Sequence, residues 1–164
     1  MAAARMKTVF CALAAAAMGM AGCAVGSVYR DRARLLKQLL TELEALESRI
    51  RAGHPVCDAL NQPDMKLLQP MAKDIAAQGI YAAWLRLSAT ESFAAMEETE
   101  RAELDGLWAD MGMLDLQRQL NRFAQVRRQM QKLLEEAERD AAQHSRLFMS
   151  LGVLAGLAVA VLMW

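Results

Sequence analysis

No acidic residue falls outside the stretch between Arg30 and Arg146, and the segments Thr8 to Tyr29 and Leu147 to Trp164 hold no charged residue at all. Runs of 22 and 18 uncharged residues, at 1.5 Å rise per residue, reach about 33 and 27 Å, close to the ~30 Å hydrocarbon core of a bilayer. Proline is scarce: Pro55, Pro63 and Pro70 are the three in the chain, so long helices are allowed on either side of that region and a turn-rich connection is expected within it. Of three cysteines, Cys11 and Cys23 lie in the first uncharged segment and Cys57 stands alone in the middle, which excludes a disulfide framework and suits a reducing compartment. Residues 30–146 carry 17 basic against 19 acidic residues, and without a clustered basic excess no nucleic-acid surface is expected. The chain has no Gly-rich phosphate loop, no paired Ser and His constellation and no His-Glu-x-x-His helix, so neither an enzyme nor a cofactor is indicated.

The two uncharged ends differ in strength. Leu147 to Trp164 holds five Leu and three Val, and its Ser150 can return its hydroxyl to the helix's own backbone, as expected of a transmembrane helix. Thr8 to Tyr29 has one Leu and seven Ala, and it follows Arg5 and Lys7 as a signal peptide follows its basic start. Met20-Ala21-Gly22-Cys23 also resembles a lipoprotein cleavage site, with Met where Leu is usual. An exported, Cys23-lipidated module therefore stays open beside an uncleaved hairpin. Arg30, Arg32, Arg34 and Lys37 after the first segment, with Arg139 and Arg146 before the second, outweigh Arg5 and Lys7 and place the middle in the cytoplasm. Tyr29 and Trp164 fit interfacial anchors, while Gly22 with Gly26 and Gly152 with Gly156 give each segment a small-residue strip for helix packing. The expected plan is a basic segment at 1–7, membrane helices at 8–29 and 147–164, and a domain at 30–146.

That domain reads as helix. Leu36, Leu39, Leu43, Leu46 and Ile50 recur at spacings of three and four in a stretch free of Gly and Pro, which makes one apolar stripe. Gly53 supplies a C-terminal cap and Pro55 follows it. A shorter helix is expected from about Leu67 to Gln78 with Gly79 ending it, then a segment holding Tyr81, Trp84, Leu85 and Leu87. A Ser88-x-x-Glu91 capping box and a helix with Leu104, Leu107 and Trp108 come next. From Met113 to Leu151 neither Gly nor Pro occurs, and Leu116, Leu120, Phe123, Val126, Met130, Leu133 or Leu134, Ala137 and Ala141 make a second stripe running into the last segment. The fold class expected is all-α: two terminal transmembrane helices bracketing a cytoplasmic antiparallel helical bundle, with the two stripes packed on each other. Gln117, Gln119, Arg127 and Arg128 would then lie on solvated faces.

Candidate chemistry is thin. His54 and Cys57 are three apart, but a structural metal site needs four ligands and His144 is far along the chain, so a turn His and a half-buried Cys are expected. Glu97, Glu98, Glu100, Glu103, Asp105 and Asp110 cluster beside Arg101, which reads as a solvated face with local charge pairs.

Tyr29-Arg30, Leu43-x-x-Leu46-Glu47-x-x-Ile50-x-x-Gly53-x-Pro55, Gly112-x-x-Asp115-x-Gln117 and Ser150-Leu151-Gly152-x-Leu154-Ala155-Gly156, in that order and spacing, resemble stage III sporulation protein AB. Two departures are His54-Pro55-Val56, where a Thr-Pro-Leu-like turn is more usual, and the Ala-rich first segment. The resemblance implies a subunit of the multiprotein channel between mother cell and forespore in endospore-forming bacteria, in the membrane around the forespore. Its domain would be similar to the helical domains of type II secretion and type IV pilus platform proteins. It further implies other channel subunits and a companion cytoplasmic ATPase, stage III sporulation protein AA, as partners, with self-association left open.

Overall fold

A computed structural model of the chain describes the backbone of residues 2–111, 113 and 115–162, and the side-chain surroundings of residues 27–111, 113, 115–144, 147 and 150. The fold is all-α. Helices α1 (Ala2–Arg51), α2 (Val56–Leu60), α3 (Gln69–Gln78), α4 (Ile80–Ser88), α5 (Glu98–Asp110) and α6 (Leu116–Leu162) follow one another, with a 3₁₀ turn at Glu91–Phe93, and no strand occurs among the described residues. By contact density the chain forms two compact units, Met1–Asp31 with Ala137–Trp164, and Arg32–Glu136. Among the described residues no helix is long and apolar enough to cross a membrane. The side-chain surroundings of the expected spans at 8–29 and 147–164, and of Gly22, Gly26, Gly152 and Gly156, lie almost wholly outside the described residues.

Local chemistry sets most helix ends. Gly53 takes φ +88°, its N–H donates to the Ile50 carbonyl at 3.0 Å and the His54 N–H to that of Arg49 at 3.0 Å. This 5→2 and 6→1 pair is a Schellman motif, and the positive φ is why Gly stands there. Gly79, with φ 84° and ψ 165°, closes α3 and opens α4 in a single residue. Its N–H donates to Ile75 at 2.9 Å and its carbonyl accepts from Ala83 at 3.1 Å. The helix expected from Leu67 starts at Gln69, with Pro70 in its first turn.

The expected Ser88-x-x-Glu91 capping box is corrected by the structure. Ser88 is the last residue of α4 and its hydroxyl donates back to the Leu85 carbonyl at 3.2 Å. Still helical, it lacks the extended backbone that lets a cap side chain reach forward to free N–H groups. The capping box forms instead at α5, where extended Glu97 and Glu100 serve each other's backbone N–H groups; acids there also suit the positive end of the helix dipole.

In the unit Arg32–Glu136, Leu36, Leu39, Leu43, Leu46 and Ile50 of α1 are buried, and Leu35 widens the stripe. Phe123, Val126 and Met130 of α6 are buried and Leu120 and Leu134 are half-buried. Leu116 is 48% exposed, so the buried stripe of this helix begins at Phe123, about two turns later than the sequence pattern places it. Arg127 of α6 reaches Glu47 at 3.5 Å and Glu44 at 4.0 Å, which makes α1 and α6 neighbours here. Arg127 and Gln119 are half-buried, whereas Gln117 and Arg128 are exposed, so only the last two sit on the solvated face expected of all four. The indole of Trp84 on α4 stacks on Trp108 of α5 with centroids 5.9 Å apart and meets Phe93 edge-on at 5.5 Å. These fully buried rings form the apolar centre of the short helices.

In the other unit, Tyr29 of α1 stacks on His144 of α6 with centroids 4.3 Å apart and planes 12° off parallel. Nδ1 of His144 lies 2.9 Å from the Asp140 carbonyl. The Ser150 hydroxyl donates to the Leu147 carbonyl at 2.9 Å.

Candidate functional site

Three carboxylates are buried in the unit Arg32–Glu136, and each holds a different part of it. Glu42 sits among the leucines of α1 yet is only 2% exposed. Its oxygens accept the backbone N–H groups of Leu67, at 2.9 and 3.0 Å, and of Leu68, at 2.9 Å. Gln38, one turn earlier, donates its amide to the same carboxylate at 3.0 Å. Leu68, the residue at the cap position of α3, has no side-chain oxygen to offer. The first-turn N–H groups of Gln69 and Met71 donate to the Met65 and Leu68 carbonyls at 2.8 and 3.0 Å, and the carboxylate from α1 holds the two N–H groups just ahead of them, where a negative charge also suits the helix dipole.

Glu100 is fully buried in the first turn of α5. Its Oε1 receives Arg32 Nε at 2.8 Å and Nη2 at 2.6 Å, while Oε2 receives the Glu97 backbone N–H at 2.8 Å. Arg32 Nη1 continues to the Glu97 carboxylate at 2.6 Å. One guanidinium thus joins α1 to the start of α5 through two acids, with the planar fork of Arg matching both.

Glu47 is buried between Arg51, one turn on at 2.7 Å, and Arg127 of α6 at 3.5 Å. Two further arginines tie loops to helices. Arg49 donates to the Ala59 carbonyl at 3.1 Å and grips both oxygens of Asp64 at 2.7 Å, and that guanidinium holds the Asp64 carboxyl below its ordinary 3.8. Arg101 donates to the Ser88 carbonyl at 2.6 Å, satisfying the last turn of α4, whose dipole favours a cation. Asp105 accepts the Trp84 indole N–H at 2.6 Å.

Between α5 and α6, Gly106 leaves room for the end of the Arg122 side chain, since a Cβ there would meet Arg122 Nη2 at 2.6 Å. Arg122 lies across this glycine with Nε 3.4 Å from Asp110, too long for a good hydrogen bond.

The acid cluster expected as a solvated face therefore divides. Glu97, Glu100, Asp105 and Asp110 serve as ties to Arg32, Trp84 and Arg122, whereas Glu98 stays exposed and Glu103 half-buried. His54 is exposed and Cys57 half-buried, and no group of His, Cys, Asp or Glu among the described residues could hold a metal ion. Sequence reading missed Arg32, Glu42 and Glu47 because charged residues inside an apolar stripe look like its edges. The signal present was their spacing, since Glu42 and Glu47 flank Leu43 and Leu46 on the same helical arc as the core leucines.

What this arrangement does chemically is positioning. Each buried charge is met by an opposite charge or by backbone groups at a helix end, so α1 acts as the post on which the start of α3, the start of α5 and the side of α6 are set.

A family model described as stage III sporulation protein AB matches residues 7–164. Comparison with curated proteins and with solved structures gives no match. A match over nearly the whole length, on a chain whose described residues form helices and no strand, makes this protein a member of the stage III sporulation protein AB family, with a role in stage III of sporulation.

Proposed function

We propose that the protein is a non-enzymatic scaffold of the channel between mother cell and forespore. It is anchored in the mother-cell membrane around the forespore by residues 8–29 and 147–164, with its helical domain in the cytoplasm linking the channel to the companion ATPase, stage III sporulation protein AA. The observation that carries this reading is that α1, of 50 residues, and α6, of 47, each hold both a stretch of the domain core and an uncharged terminal segment. Uncharged helical segments satisfy their own backbone groups and so suit a hydrocarbon environment. The buried charges, used as ties between helices, also fit a scaffold better than a reaction centre. The step to the ATPase rests on analogy with secretion platforms.

Affinity isolation of the tagged full chain from sporulating cells tests this. Recovery of the ATPase and other channel subunits is the expected result, and their repeated absence sinks the reading. An intact mass of the membrane-extracted chain checks the anchor: loss of the 22 residues before Cys23 with gain of a lipid would instead establish the exported form. Within this proposal Gly22, Gly26, Gly152 and Gly156 provide the close-packing strips of the membrane helices.

A further inference from the structure

Charge is sorted along the second half of the domain. Residues 91–115 hold eight acids and one base, Arg101, whereas residues 116–134 hold five bases and no acid. Two of those bases, Arg122 and Arg127, are taken up by Asp110, Glu44 and Glu47. Arg118, Arg128 and Lys132 are exposed, together with Asn121, Gln125 and Gln129. At 100° per residue these six fall on one arc of α6 about 100° wide, opposite Phe123, Val126 and Met130, and they extend over about 21 Å. The Arg118 guanidinium has a 3.4 Å contact to Asp115 in its own turn, and Arg128 and Lys132 have no partner among the described residues. An outward stripe of cations and amides with no acid in it is built to receive carboxylates.

We infer that this stripe docks on the acidic start of α5 in a second copy of the chain. The segment from the 3₁₀ turn to the first turn of α5 presents Glu91 and Glu98, both exposed and without a partner among the described residues, and the half-exposed Glu97 carboxylate. The two surfaces are complementary in sign and belong to one compact unit. Residues 30–146 carry 17 basic and 19 acidic residues, so little net repulsion opposes two copies meeting. The contact is heterologous: each copy offers its stripe to one neighbour and its acids to another, so assembly continues past the dimer into a ring or a row. The inference is independent of whether the ends span a membrane.

The test is sedimentation of the full chain in an uncharged detergent at about 50 mM and about 500 mM salt, since contacts of this kind are screened as the Debye length shortens. Self-association that weakens at least tenfold at the higher salt is expected. The double variants Arg128→Glu with Lys132→Glu, and Glu91→Lys with Glu98→Lys, should each weaken it at least tenfold, because each sets like charges face to face. Combining all four should restore it. All four side chains are exposed, and circular dichroism verifies that each variant remains folded. A wild-type chain that stays monomeric at both salts, or a fourfold variant no better than the doubles, overturns the inference. So does association that ignores all four changes, or a stripe that binds only anionic vesicles.

Discussion

Arg32 and Glu100 lie 68 positions apart, yet two nitrogens of the one converge on a single oxygen of the other, at 2.6 and 2.8 Å, with the carboxylate fully buried. A buried ion of this kind is stable only while its partner is present, since desolvation of the lone charge costs several kcal/mol. The pair therefore fixes where α5 begins against α1 more than it adds stability.

Arg32→Ala is accordingly expected to destabilise the chain by about 3–5 kcal/mol, because Glu100 is left charged and unanswered. Arg32→Met with Glu100→Leu should recover most of that loss. Urea unfolding followed by circular dichroism measures both, and a double variant as weak as the single one would contradict this account.

Glu42→Ala removes the acceptors of the Leu67 and Leu68 N–H groups and should cost about 1–3 kcal/mol. The local signature is amide hydrogen exchange, which should accelerate at Leu67 and Leu68 before any change at α5. Glu42→Gln keeps one carbonyl acceptor and should fall in between.

Gly79→Ala should cost about 1–3 kcal/mol, from backbone strain alone, because a Cβ there meets nothing within 4 Å while φ 84° suits glycine. Gly106→Ala behaves differently. Its Cβ displaces the far end of Arg122, and the helix-propensity gain of up to about 1 kcal/mol offsets the disturbed ion pair. In an Arg122→Ala background the same change should be plainly stabilising, and a Gly106→Ala effect unaltered by that background would rule out the contact.

Asp64 supplies the pH dependence. Its folded pKa is depressed below 3.8 by the Arg49 guanidinium, so the pair contributes stability above the unfolded value, and this is lost as pH falls through the folded one. Asp64→Asn should lower stability modestly at neutral pH and converge with the wild type below the folded value, so that the acid limb of its stability profile is flatter. An identical acid limb in the variant would exclude the linkage.

Much of the helical plan was legible from spacing. Leu36 to Ile50 and Phe123 to Met130 repeat with the helical period, and a period of 3.6 can bury a face only in a helix. Gly53 and Gly79 announced stops because few other residues adopt their dihedrals. Leu116 and Ser88 misled for a shared reason: each satisfies a local pattern, while its real position depends on what lies across from it.

The sequence by itself determined that the chain is helical, where its turn-rich segment lies, that its acidic residues are confined to the middle, and which family it belongs to. The first three follow from periodicity, backbone restriction and composition, all of which act between near neighbours, and the family follows from the match of residues 7–164 to its model. Only the tertiary structure decided that Glu42 serves the start of α3, that Arg32 binds Glu97 and Glu100, and that Arg127 turns inward to Glu47. Whether a charge is spent inside or left for a partner depends on groups brought together from 25 to 80 positions away, and such long-range company leaves no period in the chain to read.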